Sequence, residues 1–245
     1  MTIRAGILAN GPVLYWPLDD ANTAAAVDAS GAGNNGRYVG QVAAQQTGPE
    51  AGTHSALLDT AGGVLANGGS PRIIGPFSMV AWVATIGPQA PPNVIVYNGP
   101  SNARGAGLIW SAGTPTSNTM SLLRGGIGIG GAVGNIPSGT WHQVAQTWDG
   151  AGNVNELLDG VSLIAGPAPF NAINAGDPFV AGAAQFAGQL LYMAHVALFA
   201  VQLTTAQVLA QYNANAGLVT PPAAASCSGL SPLLDLILRS VRKPY

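Results

Sequence analysis

The chain has 245 residues, enough for one large β domain with an appendage, and long enough to bury a core without disulfide support. Only 7% of residues are charged, against a usual share of about 25%. A formal net charge of -2 gives no basic field for nucleic acid or an anionic membrane, and a single cysteine, Cys227, excludes an internal disulfide.

The opening stretch, MTIRAGILANGPVLYWPLDD, has an early Arg4 but no apolar region long enough for a secretory signal. No run reaches the roughly 18 apolar residues of a membrane span. A chain kept in the cytoplasm is expected, or one exported by a route it does not itself encode, or one carried out on a particle freed by lysis. The sequence leaves open whether Met1–Ile7 is free or pairs as a strand.

From Val13 to about residue 200, short apolar stretches alternate with Gly, Asn, Pro and Ser turns, the pattern of an all-β sandwich. Strands are expected at Val13–Leu18, Gly36–Val42, Ala56–Leu58, Phe77–Thr85, Val94–Tyr97, Gly107–Ser111 and Met120–Arg124. Others follow at His142–Trp148, Val154–Leu158, Phe179–Ala181 and Leu190–Phe199. RGGIGIGGAVGNI (124–136) lacks the strand-to-helix context and the Lys of a phosphate loop, and reads as a flexible strand pair.

The stretch 140–161, TWHQVAQTWDGAGNVNELLDGV, carries most of the polar chemistry. It reads as a β-hairpin turning at Asp149–Gly152, with a further turn at Asp159–Gly160. That register sets Gln146 opposite Glu156 on a face otherwise apolar. Two readings stand: a carboxylate held by Gln for chemistry or ligand contact, or a satisfied polar pair beside a solvent-filled groove. Glycoside hydrolysis needs two carboxylates at a set separation. The chain has two Glu, Glu50 and Glu156, and the turn directs Asp159 away from the strand face.

After the last strand, Thr204 caps a helix and Gln207 completes a capping box, with Leu203 and Val208 as the hydrophobic staple and Gly217 beyond the end. Residues 218–230 read as a Pro/Ala/Ser linker. Residues 231–245 read as a second helix, capped by Ser231 and Pro232, with Leu233, Leu234, Ile237, Leu238 and Val241 on one face. That face either folds back on its own domain or docks into a groove of a partner. His54, His142 and His195 are far apart and lack metal spacing.

Five segments together resemble laminin G-like, concanavalin A-like jelly rolls. They are ILANGPVLYWPLDDA, DASGAGNNGRYVG, FSMVAWV, GTWHQVAQTWDGAGNVNELLDGVSL and FAGQLLYMAHVALFAVQLTTAQVLAQYNA, and they span about residues 7 to 217. The resemblance implies a two-sheet antiparallel jelly-roll sandwich with a short capping helix over residues 1–217, the linker and C-terminal amphipathic helix lying outside it. It implies core roles for Trp16, Trp82, Trp141 and Trp148. Many relatives hold a structural calcium at this turn, for which Asp19, Asp20, Asp28 and Asn34 are the candidates here, but Ala187 and Leu191 stand where the family brings acidic residues. The expectation is no cofactor and a metal-free Asn-Gly turn in which Asp28 bonds the backbone, with calcium as the alternative. Trp110 and Tyr97, on strands outside the family-like segments, are the candidates for exposed sugar-stacking platforms.

Such domains mostly bind, and the chain is similar to minor tail or decoration proteins of bacteriophages. That likeness implies a non-catalytic virion protein whose partners are other virion proteins or further copies of itself, touching a host-surface glycan. The sparse charge fits a surface covered in an assembly, or a polar uncharged surface from a GC-rich genome, as one Lys against seven Arg suggests. A carbohydrate-binding or adhesion module of a bacterial surface, extracellular or on the cell, is the alternative. A glycoside hydrolase centred on Glu156 is the third reading.

Overall fold

The computed structural model describes residues 1–66, 71, 73, 75–87, 93–100, 103–114, 117–169, 171, 174, 177–182, 190–215 and 217–221. Helix α1 (Ile3–Leu8) is followed by β1 (Leu14–Trp16), β2 (Gly36–Thr47), β3 (His54–Ala66), β4 (Phe77–Thr85), β5 (Asn93–Asn98), β6 (Ala106–Thr114) and β7 (Ser117–Arg124). Then come β8 (Gly128–Pro137), β9 (His142–Trp148), β10 (Asn153–Leu158), β11 (Val161–Pro167), β12 (Phe179–Gly182), β13 (Leu190–Phe199) and α2 (Thr205–Asn213). The predicted C-terminal helix, with Leu233, Leu234, Ile237, Leu238 and Val241, lies outside the described residues, as do Cys227 and most of the linker.

The fold is an all-β antiparallel jelly-roll sandwich. Its strands run in the order β11-β10-β9-β4-β13-β3-β12-β5-β6-β7-β8, with β1 joined to β13 and β2 to β3. The ladder curls so that one stretch of it packs on the other. The inner face of β4 (Phe77, Met79, Ala81, Val83) meets Ile95, Leu108, Trp110 and Met120 in one continuous core. The other face of β4 (Val80, Trp82, Ala84) is covered by Ile3 and Ile7 of α1 and Val208 of α2. FSMVAWVAT is therefore buried at every position, and the apolar run Met79–Ala84 within it is what a strand between two layers requires. Among the described residues no helix is long and apolar enough to cross a membrane.

The helices follow from their caps. The Thr204 side chain accepts from Gln207 N–H while the Gln207 side chain accepts from Thr204 N–H, the expected capping box. Leu203 and Val208 lie together in the buried cluster under the helix. The N-terminus is neither free nor a strand. Thr2 caps α1, Ile3 and Ile7 turn inward, and Ile3 N–H donates to the Glu50 carboxylate at 3.2–3.3 Å. Gly6 lets α1 approach α2: a Cβ there would lie 3.1 Å from that of Ala214. At the other end, Val219 N–H donates to Pro49 C=O at 3.0 Å, so the linker's first residues are bound to the domain. Both ends of the described chain are thus fastened to adjacent residues, Pro49 and Glu50.

Candidate functional site

The two ends of the ladder approach each other. β8 closes one end and β11 the other, and they come near enough that a Cβ on Gly134 would lie 2.5 Å from Leu163 Cδ1. Beside this seam is a cleft of about 370 Å³. It is lined by Leu122 and Arg124 of β7, Gly130 of β8, Val154 and Glu156 of β10, and residues 164–168. Its volume falls at the lower end of small-molecule sites.

Local sequence places each wall. The Asp149 carboxylate accepts from Ala151 N–H (2.7 Å) and Asn153 N–H (3.0 Å), closing the β9–β10 loop and fixing the register Glu156↔Gln146. Asp159 and Gly160 both have positive φ, 52° and 75°, the two-residue hairpin turn that matches strand twist and sends β11 back along β10. The β10–β11 register shifts between Glu156 and Leu157, a bulge beside the cleft. Leu122, Val154 and Ala168 form a small apolar cluster across the seam.

The residues after β11 complete the wall. Ala168 N–H donates to Gly152 C=O (2.8 Å), and the Asn171 side chain donates to Ala103 C=O (2.8 Å) and Gly125 C=O (3.2 Å). Arg104 grips Asp177 bidentately, Nε to Oδ2 at 2.7 Å and Nη2 to Oδ1 at 2.6 Å. The Arg104 hydrogen bonds hold the Asp177 carboxyl below the usual carboxylate range, outweighing its burial.

Two ionisable groups face the cleft. Glu156 is fully buried beneath its floor. Its Oε1 accepts from Gln146 Nε2 at 2.8 Å, as the hairpin register predicts, and Oε2 has no hydrogen-bond partner. Burial pushes the Glu156 pKa up to about 8, and the Gln146 hydrogen bond only partly opposes this. Arg124 is half-buried; its Nε is buried without a hydrogen-bond partner, and among the described residues no ion pair engages it.

The other predicted site residues lie elsewhere. Trp110 is 0% and Tyr97 2% exposed, so neither offers a ring face to a sugar. Trp110 belongs to the inter-sheet core, and the Tyr97 hydroxyl donates to Arg104 C=O at 2.9 Å. Tyr97 packs with Val94, Ile109 and Val180, a burial that local sequence did not reveal. Trp16, Trp82 and Trp141 are buried and Trp148 packs partly buried against the core, as expected.

The Asp28 turn is already engaged. Its carboxylate accepts from Tyr15 N–H (2.9 Å), Ser30 N–H (2.9 Å), Ser30 Oγ–H (2.9 Å) and Asn34 N–H (2.8 Å). Burial raises its pKa, but these four donors outweigh that and hold it below the usual value. The Asn34 amide donates to Val13 C=O, Asp19 lies 3.6 Å from Arg4, and the Tyr38 hydroxyl donates to Asp20. Among the described residues no three acidic, His or Cys side chains converge to hold a metal.

Asp159 points off the strand face, as expected. It accepts from Gln143 N–H at 2.9 Å and lies 2.8 Å from His142 Nδ1. The sequence reading found Glu156 and Gln146 but missed Arg124 and the apolar walls. Polarity on an inward face marked the first two; nothing local marked the others, because the seam brings together strands remote in sequence.

No family model matches the chain, and no curated protein matches it. Solved structures share its fold. Domain 4 of AbnA, a GH43 extracellular arabinanase from Geobacillus stearothermophilus solved with arabinotriose, superposes with a TM-score of 0.63 at 17% identity, covering 82% of this chain and 98% of that domain. The binding domain of botulinum neurotoxin DC in complex with SialylT gives 0.59 at 15% identity, over 84% of this chain and 52% of that one. The receptor binding domain of the botulinum neurotoxin C/D mosaic serotype gives 0.58 at 15% identity, over 83% and 51%. The chain therefore spans about half the length of the toxin domains and nearly all of the arabinanase domain.

Proposed function

We propose that this protein is a non-catalytic glycan-binding domain and that the seam cleft holds the sugar. The carrying observation is the cleft itself: a concave, mostly apolar site of about 370 Å³ with a buried carboxyl and an unpaired guanidinium facing it. The arabinotriose and SialylT bound to two domains of the same fold support the ligand class. Glu156 is the sole carboxyl among the described lining residues, which favours binding over the two-carboxylate hydrolysis of glycosides.

The test is a direct one. Gly130 lines the cleft, and an added Cβ would stand 3.4 Å from Leu122 Cβ, an ordinary contact. Gly130→Leu should thus fold and fill the site. On an oligosaccharide array, wild type should bind a subset of glycans, and the variant should bind them at least tenfold more weakly at an unchanged melting temperature. Unchanged binding would move the site elsewhere; no binding by wild type would end the glycan reading.

The finer proposal is that the domain is displayed on a virion, with Leu233, Leu234, Ile237, Leu238 and Val241 as its docking face toward other virion proteins or a second copy. Its support is the 7% charge, too sparse for a freely diffusing domain. Display on a bacterial surface is the reading it competes with.

A further inference from the structure

Arg124 and Arg104 stand in opposite circumstances. Arg104 has its carboxylate, gripped through two hydrogen bonds by Asp177. Arg124 lines the cleft with its Nε buried and without a hydrogen-bond partner, and no described carboxylate pairs with it. A guanidinium is a planar fork of donors whose best partner is a carboxylate bound through two parallel hydrogen bonds. A buried donor left unmade is costly, so such an arrangement is most stable with the partner supplied from outside.

We infer that the cleft takes an acidic sugar, whose carboxylate pairs with Arg124 while its apolar faces lie on Leu122, Val154 and Ala168. This rests on the glycan-binding reading and narrows it.

The charge around the cleft agrees. Glu156 is the group that would oppose an anion; Gln146 from β9 holds its Oε1, and Arg124 from β7 lines the same cleft. β8 (GIGGAVGNIP) and β11 (VSLIAGP) carry no ionisable side chain. With burial holding its pKa at about 8, Glu156 is mostly protonated at neutral pH, so Arg124 alone sets the sign of the site. The protonated carboxyl is itself a potential donor, which suits a ligand rich in acceptor oxygens.

The experiment uses the full chain and an array of trisaccharides bearing a uronic or sialic acid, each beside its carboxyl-reduced form, followed by calorimetry on the strongest pair. Wild type should bind the acid form at least about tenfold more tightly than the reduced form, the effect of one charge-assisted bidentate contact. Arg124→Gln should erase that difference and bind the reduced form as wild type does. Equal binding of both forms by wild type overturns the inference and leaves the glycan reading standing, and needs no variant to be read. An acid preference that survives in Arg124→Gln overturns the role of Arg124. No binding to any glycan ends both.

Discussion

Glu156 and His195 are both buried in their neutral forms, and the two govern how stability depends on pH in opposite directions. Above pH 4.5 the unfolded chain has released its Glu156 proton while the folded protein keeps it, up to about pH 8. Stability from this group therefore falls as pH rises through that window, by about 1.4 kcal/mol per unit. His195 is buried beside Tyr15, its Nδ1 2.7 Å from the tyrosine hydroxyl, and burial lowers its pKa from 6.5 to about 3. Between those values the unfolded chain binds the extra proton, so stability falls as pH drops. The two slopes offset one another between pH 4.5 and 6.5. Urea midpoints should be nearly level across that range and fall toward pH 8, and Glu156→Gln should flatten the alkaline fall. A variant that loses stability above pH 6.5 as steeply as wild type would show that Glu156 ionises freely in the folded protein.

At the scale of elements, α1 is the piece most easily underrated. Six residues are too few to show a helical period, and the signal lay only in Thr2 and the Ile3/Ile7 spacing. Yet Ile3 and Ile7 are wholly buried against the outer face of β4. Ile7→Ala should lower stability by about 2–5 kcal/mol, read as a fall in the urea midpoint, while glycan binding at the distant cleft keeps its affinity. A loss under 0.5 kcal/mol would mean that α1 frays without consequence. Most strands were legible, because alternation and the turn residues Asp149–Gly152 and Asp159–Gly160 are local. β11 was not expected, and the strand pair expected over 124–136 is the end of β7, a turn and the single strand β8. Gly-rich GIGGAVGNIP has few side chains to alternate, and β11 leaves most of its residues exposed, so burial does not pattern it.

At the scale of the whole molecule, the cleft is a product of closure. Leu122 and Val154 are 32 positions apart and meet because the ladder curls until its two ends face each other. Local pattern could give Gln146 opposite Glu156, since one hairpin decides that. It could not give Arg124 as a lining residue, nor the burial of Trp110 and Tyr97, since those depend on which layer covers which. The apolar C-terminal segment belongs to this scale as well. Light scattering on the full chain and on residues 1–221 should give a defined oligomer for the first and a monomer for the second, if 231–245 docks onto copies of the chain. Monomers in both cases would remove self-assembly from the proposal.

The fastening of Ile3 to Glu50 and of Val219 to Pro49 has a mechanical consequence. Tension applied between the two ends enters and leaves at neighbouring residues of one turn. It loads a few hydrogen bonds in that turn before any strand of the sandwich feels it. Tension between the two ends is thus borne by that one turn, and the strands that line the cleft stay out of its path.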